Sequence, residues 1–154
     1  MRLGPRNIAI ALFIVAVVLA WYLWDSPDRA IRRLLADSEA AVEAEDVTRT
    51  MSHVSRKYLD DNGLNYLAVR RAVSWAFNRF DGFDVRLRDV RVDIHDDRAT
   101  ARGQLQVLVR EQGDNAYLIA EPGAPDLVTV TLTKERLSWK VISVNGIDVS
   151  RFGM

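Results

Sequence analysis

Seventeen consecutive residues, Ile8 to Trp24, contain neither a charge nor a strongly polar group. A helix of that length covers roughly 26 Å at about 1.5 Å per residue, just short of a typical hydrocarbon core. The run has no polar face, which weighs against a helix buried in a soluble core. Trp21, Tyr22 and Trp24 cluster at its C-terminal end, where amphipathic rings favour the headgroup region, and Arg2 and Arg6 flank the other end. These features predict a short basic tail (1–7) followed by a signal-anchor transmembrane helix (8–24). Val18-Leu19-Ala20 also fits the small-x-small cleavage rule of a signal peptide. Because the apolar run continues through WYLW beyond that point, an uncleaved anchor is the expectation. The positive-inside rule nearly ties between the two flanks. A basic tail ahead of the first apolar run then favours the domain on the outer side.

The anchor also divides the charge. The chain has 21 basic and 21 acidic residues, yet residues 1–24 hold two arginines and no acid. The remainder is therefore slightly acidic, which gives no support to a polyanion-binding surface. Zero cysteines exclude disulfides, thiolate nucleophiles and Cys-based metal sites.

Past the anchor, Ser26-Pro27-Asp28 has the chemistry of a helix start: an N-cap, a proline at the first position and an acid at the positive end of the dipole. Ile31, Leu34, Leu35, Ser38 and Val42 form one apolar stripe, so a helix is predicted to about Glu45, with Arg32, Arg33, Asp37, Glu39 and Glu43 on a solvated face. Val47, Met51, Val54 and Tyr58 predict a shorter helix over 47–58. Asp60-Asp61-Asn62-Gly63 ends it with turn chemistry. Asn65 caps a third helix, Tyr66 to Phe80, stopped by Asp81-Gly82 with Gly82 as the C′ residue.

From Phe83 the period changes to two. Phe83, Val85 and Leu87 alternate with polar residues, and the apolar parity then slips to Val90, Val92 and Ile94. A β-bulge produces such a slip, as does a break between two strands. His95-Asp96-Asp97-Arg98 reads as a hairpin turn before a long strand to Val109. Tyr117 to Ala120 marks a short strand in a polar connection, and Val128 to Leu132 another strand. Lys134-Glu135-Arg136 then turns into a last strand from Leu137, whose parity slips after Val141. Helices first and antiparallel strands afterwards define an α+β domain over 26–148, with a C-terminal tail at 149–154.

This order resembles the NTF2-like superfamily, whose helices cover the concave face of a bent antiparallel sheet (a cystatin-like cone). The resemblance spans about residues 28–148. It rests on the first helix ending in Ala44-Glu45-Asp46-Val47, the Tyr58–Gly63 segment, and the closing Leu137-Ser138-Trp139-Lys140-Val141-Ile142-Ser143-Val144. An anchor ahead of such a domain is similar to the layout of VirB8-type secretion components, and SnoaL-like enzymes share the cone. The resemblance implies enzymes, ligand binders and assembly modules alike. Some of its enzymes use an Asp or His facing the cavity as a proton-transfer base.

No catalytic constellation stands out. There is no Gly-x-Ser-x-Gly elbow, and His53 and His95 lie on different elements without metal-ligand spacing. Asp60, Asp61 and His53 are the weak catalytic candidates, the two acids reading first as turn and capping residues. Tyr58, Tyr66, Phe77 and Trp139 are candidates to line a pocket. Trp75 falls off the helix stripe between Arg71 and Arg79, a composition that suits a protein interface. Asp84 and Asp93 occupy outward strand positions, and acids interleave with the arginines of the first hairpin, which argues against a phosphate track.

The expectation is thus a non-enzymatic, single-pass domain of the bacterial inner membrane, facing the periplasm. Its partners would be the lipid bilayer through 8–24 and a protein or a second copy, with no metal, cofactor or nucleic acid. The alternative is binding, or lyase/isomerase-type processing, of a small apolar ligand in the cone.

Overall fold

In the computed structural model, residues 5–23, 26–120 and 123–148 are described. The tails 1–4 and 149–154 fall outside them, as does Trp24. Helix α1 (Pro5–Leu23) contains residues 8–23 of the apolar run. Among the described residues no helix is long and apolar enough to cross a membrane. The described side chains of α1, Ile10 to Ala20, are all exposed.

Helix α2 (Pro27–Glu43) starts as its sequence dictates. The Ser26 side chain accepts from the Arg29 N–H, and proline fills the first turn. Ile31, Leu34, Leu35 and Ala41 are its buried residues. Glu45 adopts a left-handed φ of 54° after the C-cap, turning the chain into α3 (Val47–Ser52), which Asp46 caps through Arg49 N–H.

The expected helix over 47–58 is cut to half that length. His53 caps it, and the next residues run along the edge of the sheet. Ser55 N–H donates to Val141 O (2.8 Å), Val141 N–H to His53 O (2.9 Å), and Leu59 N–H to Ile142 O (3.0 Å). These bonds pair backbone groups that a helix would have satisfied internally, and they cover an otherwise open strand. Helix α4 (Tyr66–Arg79) is capped by Asn65, whose side chain accepts from Ala68 N–H. Phe80 ends it in extended geometry, so Gly82, at φ 89°, turns the chain into the first strand instead of serving as C′.

Five strands follow: β1 (Phe83–His95), β2 (Arg98–Glu111), β3 (Asp114–Ile119), β4 (Asp126–Glu135) and β5 (Ser138–Asn145). All pair antiparallel in the order β1-β2-β4-β5. Strand β3 lies beside the far half of β2, next in line with β4. Both parity slips are bulges. In β1 the register breaks between Arg88 and Arg91, with Asp89 at φ 53°. In β5, Thr131 faces Ser143 but Leu132 faces Val141, leaving Ile142 without a partner in β4. Each bulge keeps apolar residues inward while bending its strand. Leu137 is 97% exposed in the β4–β5 turn and not, as its apolar character suggested, the first residue of β5.

The core lies between α2–α4 and one face of this sheet, around Ile31, Leu34, Met51, Leu132, Trp139 and Val141. The charged face of α2 is more than solvated. Glu43 accepts from Val85 N–H (3.1 Å), and Arg32 donates to Val90 O (3.3 Å), so α2 covers backbone groups of the β1 edge.

Candidate functional site

The concave side of the sheet is not filled. A cavity of about 390 Å³ separates it from the helices. Val85, Leu87, Leu105, Val107, Val128 and Val130 contribute the sheet wall; Val69, Ala72, Val73 and Phe77 contribute the α4 wall. Alternation along each strand puts these apolar residues on one face. The bent sheet then holds that face away from α4.

The polar lining belongs to two groups. The first is Asp60 with Asn62, in the turn before α4. Asp60 accepts from Tyr58 Oη (3.1 Å), Asn62 N–H (3.0 Å) and Leu64 N–H (2.9 Å), and Tyr58 Oη accepts in turn from Val144 N–H (3.2 Å). Burial and the neighbouring Asp60 push the Tyr58 phenol far above its ordinary range, so it remains a donor. Asp60 is fully engaged in holding this turn. Asp61 is exposed, its N–H bonded to Asn145 Oδ1.

The second group is Ser38 and Glu39 on α2 with Thr50 on α3 and His53, the C-cap of α3. His53 Nε2 stands 2.7 Å from Asp37 Oδ2, close but without hydrogen-bond geometry. Arg49 pairs with the same carboxylate and, as the main cause, holds Asp37 below the usual carboxylate range. Asp37 thus stays ionised at neutral pH beside the imidazole. Glu39 is pushed the other way, first by burial and then by Glu43. Thr50 Oγ1 is buried without a hydrogen-bond partner. An unsatisfied hydroxyl in the wall of an apolar cavity is an available anchor for a ligand's polar atom.

The sequence candidates divide accordingly. Tyr58, Phe77, Asp60 and His53 line the cavity. Tyr66 and Trp139 do not; both are buried in the core, Tyr66 with the Arg56 guanidinium 4.5 Å above its ring. Trp75 is 45% exposed, yet it lines the cavity and packs edge-on to Phe80, which places it where the cavity meets solvent. Arg79 is paired with Glu111, and Arg71 is exposed. Asp37, Glu39 and Thr50 were missed. The first two look like any charges on a solvated helix face, and no local spacing links Asp37 to His53. Among the described residues no cluster of His, Asp and Glu is arranged to hold a metal ion.

No protein-family model matches the chain, and no curated protein matches its sequence. Solved structures do match its shape. An NTF2-like protein with a cystatin-like fold from Novosphingobium aromaticivorans superposes with a TM-score of 0.62 at 16% identity, covering 92% of this chain and 87% of its own. A protein from the same organism, designated a candidate scytalone dehydratase, gives 0.66 at 14% identity over 75% of this chain and 79% of its own. Bd1075 of Bdellovibrio bacteriovorus gives 0.62 at 13% identity over 76% of this chain, which spans 38% of that protein. Likeness at such identities carries the fold alone: helices packed on a bent antiparallel sheet of the NTF2-like, cystatin-like kind.

Proposed function

We propose that this domain binds a small, largely apolar molecule bearing one hydrogen-bonding group. The open cavity carries this reading, with apolar walls and the Glu39/Thr50/His53 group at its α2–α3 side. A binding site of this type is concave and mostly apolar, with a few polar groups to set orientation. Association through Arg71, Trp75 and Arg79 has less in its favour, since Arg79 is paired and Trp75 belongs partly to the cavity.

The probe 1-naphthol matches this chemistry, with two apolar rings and one hydroxyl. Burying about 200 Å² of it at about 25 cal/mol per Å² is worth about 5 kcal/mol, or a Kd of about 0.2 mM. Trp75 in the wall should report binding as a saturable fluorescence change that Trp75→Phe removes. The Ala72→Phe variant places a ring in the cavity from α4 and should weaken binding at least tenfold, with its unfolding midpoint nearly unchanged. Equal affinity in Ala72→Phe would refute the cavity as the site.

The His53–Asp37 contact favours a second reading, proton transfer in a lyase- or isomerase-type step. A dehydratase assignment for a protein of the same fold is consistent with this, without identifying a substrate.

The exposed apolar side chains of α1 favour a membrane anchor over 8–24, with the domain outside the inner membrane. A phosphatase reporter fused after Met154 should then be active in intact cells. Activity of a cytoplasm-dependent reporter at the same position would reverse this topology.

A further inference from the structure

The outward face of the sheet carries a feature unrelated to the cavity. Strand pairing sets three cross-strand rows side by side: Arg86 opposite Gln106, Arg88 opposite Gln104 and, beyond the bulge, Arg91 opposite Arg102. Four guanidiniums and two carboxamides therefore share one patch. Two arginines directly opposite each other repel, and such a pair costs a sheet stability. Three acids of β1 share this stretch: Asp84 and Asp93 at its ends, and Asp89, exposed in the bulge between Arg88 and Arg91 and in no ion pair with either. Asp84 is gripped by Arg86 through two bonds (3.0 and 2.6 Å), and Asp93 lies 3.7 Å from Arg102. Arg88 and Arg91, in the middle, make no ion pair among the described residues, and Arg88 acts on Asp84 only through space.

The partners of these arginines are informative. Glutamates at 104 and 106 would have neutralised them across the ladder; glutamines instead offer N–H donors and leave the positive charge standing. Arg86, Arg88, Gln104 and Gln106 also line a groove of about 180 Å³, walled by Gly123 and Pro125. A guanidinium fork beside carboxamide donors in a concavity is the arrangement that recognises oxyanions.

We propose that this groove binds a phosphate-type oxyanion, with Arg88 as the bidentate anchor and Gln104 and Gln106 donating to its remaining oxygens. A phosphate has oxygens beyond the two that Arg88 can engage, and these can accept from the two carboxamides. Arg91 and Arg102 add positive field from the next row. A free phosphate and a phosphatidic acid headgroup present the same chemistry.

The test titrates the full-length protein with inorganic phosphate at constant ionic strength, followed by phosphorus NMR. Saturable binding is expected, weakened at least tenfold in Arg88→Ala and in Gln104→Glu but unchanged in Arg98→Ala, an exposed arginine outside the groove. All three side chains are outward, and unchanged circular dichroism would establish that the variants fold. Absence of saturable binding, or an equal loss in Arg98→Ala, overturns the proposal. Dihexanoyl phosphatidic acid below its micellar concentration separates the sources. If it binds at least tenfold tighter than phosphate, with the same dependence on Arg88, the oxyanion belongs to a lipid; equal affinity assigns it to a soluble phosphate.

Discussion

Replacing Asp60 by alanine is expected to lower the unfolding free energy by about 3–5 kcal/mol in a urea titration. Three donors converge on this side chain: Tyr58 Oη, Asn62 N–H and Leu64 N–H. The residue is 9% exposed, so solvent cannot replace all three bonds. Each donor left buried without a partner costs about 1–3 kcal/mol. Tyr58 Oη also accepts from Val144 N–H at the end of β5, so the loss spreads from the turn to the sheet. Asp60→Asn retains the carbonyl oxygen that Asn62 and Leu64 N–H require, and should cost only about 1–2 kcal/mol. The pair of variants separates two roles. If Asp60 is a structural clamp, Asp60→Asn binds 1-naphthol with unchanged affinity. An Asp60→Asn protein of near-normal stability that no longer binds would move this acid into the binding machinery.

Asp60 illustrates what the sequence could and could not disclose. Its capping role was legible because Asp-Asp-Asn-Gly has local turn chemistry and every partner but Tyr58 Oη is a nearby backbone N–H. The same locality made α2 and α4 legible, through Ser26, Asn65 and their apolar stripes. The two bulges were legible as parity slips, since inward residues must stay inward whatever the strand does at Asp89 or Ile142. The failures are non-local. Val54 and Tyr58 continue the spacing of α3, but pairing with β5 outcompetes one further helical turn, and β5 lies more than 80 residues downstream. Asp37 and His53 meet only because α2 and α3 pack together. Tyr66 and Trp139 have the same character as Tyr58 and Phe77, and only the bend of the sheet decides which rings meet the cavity and which fill the core.

The two candidate sites stand on opposite faces of one sheet and share strands β1 and β2. Alternation makes this possible: Val85, Leu87, Leu105 and Val107 line the cavity, while Arg86, Arg88, Gln104 and Gln106 between them line the outer groove. Gly103 sits where both faces are crowded by the bulge. A Cβ there would stand 3.0 Å from both the Arg88 carbonyl oxygen and Leu87 Cδ1. The bulge is thus held by close backbone approach, and it sets the curvature of the cavity wall and the Arg91–Arg102 pairing together.

The largest single-residue effect is expected at Gly146. Its φ of 96° lies where a residue with a side chain is strained, and an added Cβ would overlap the Leu127 carbonyl oxygen. That oxygen belongs to β4 backbone, so no side-chain rotation relieves the clash. Relief requires β5 to part from β4 near Thr129 and Asn145, the last pair of their ladder. Gly146→Ala should therefore cost more than about 3 kcal/mol, the combination of overpacking with an incompatible backbone angle. The following residue, Ile147, lines the cavity. Displacing it opens one wall, so whatever fraction still folds should bind 1-naphthol at least tenfold more weakly. Gly63 gives the control. It also has positive φ, at 78°, but a Cβ there would meet nothing within 4 Å, so Gly63→Ala should cost only about 1 kcal/mol. Similar unfolding midpoints for Gly146→Ala and Gly63→Ala would mean that the crossing of Gly146 beneath Leu127 is not what closes this end of the sheet.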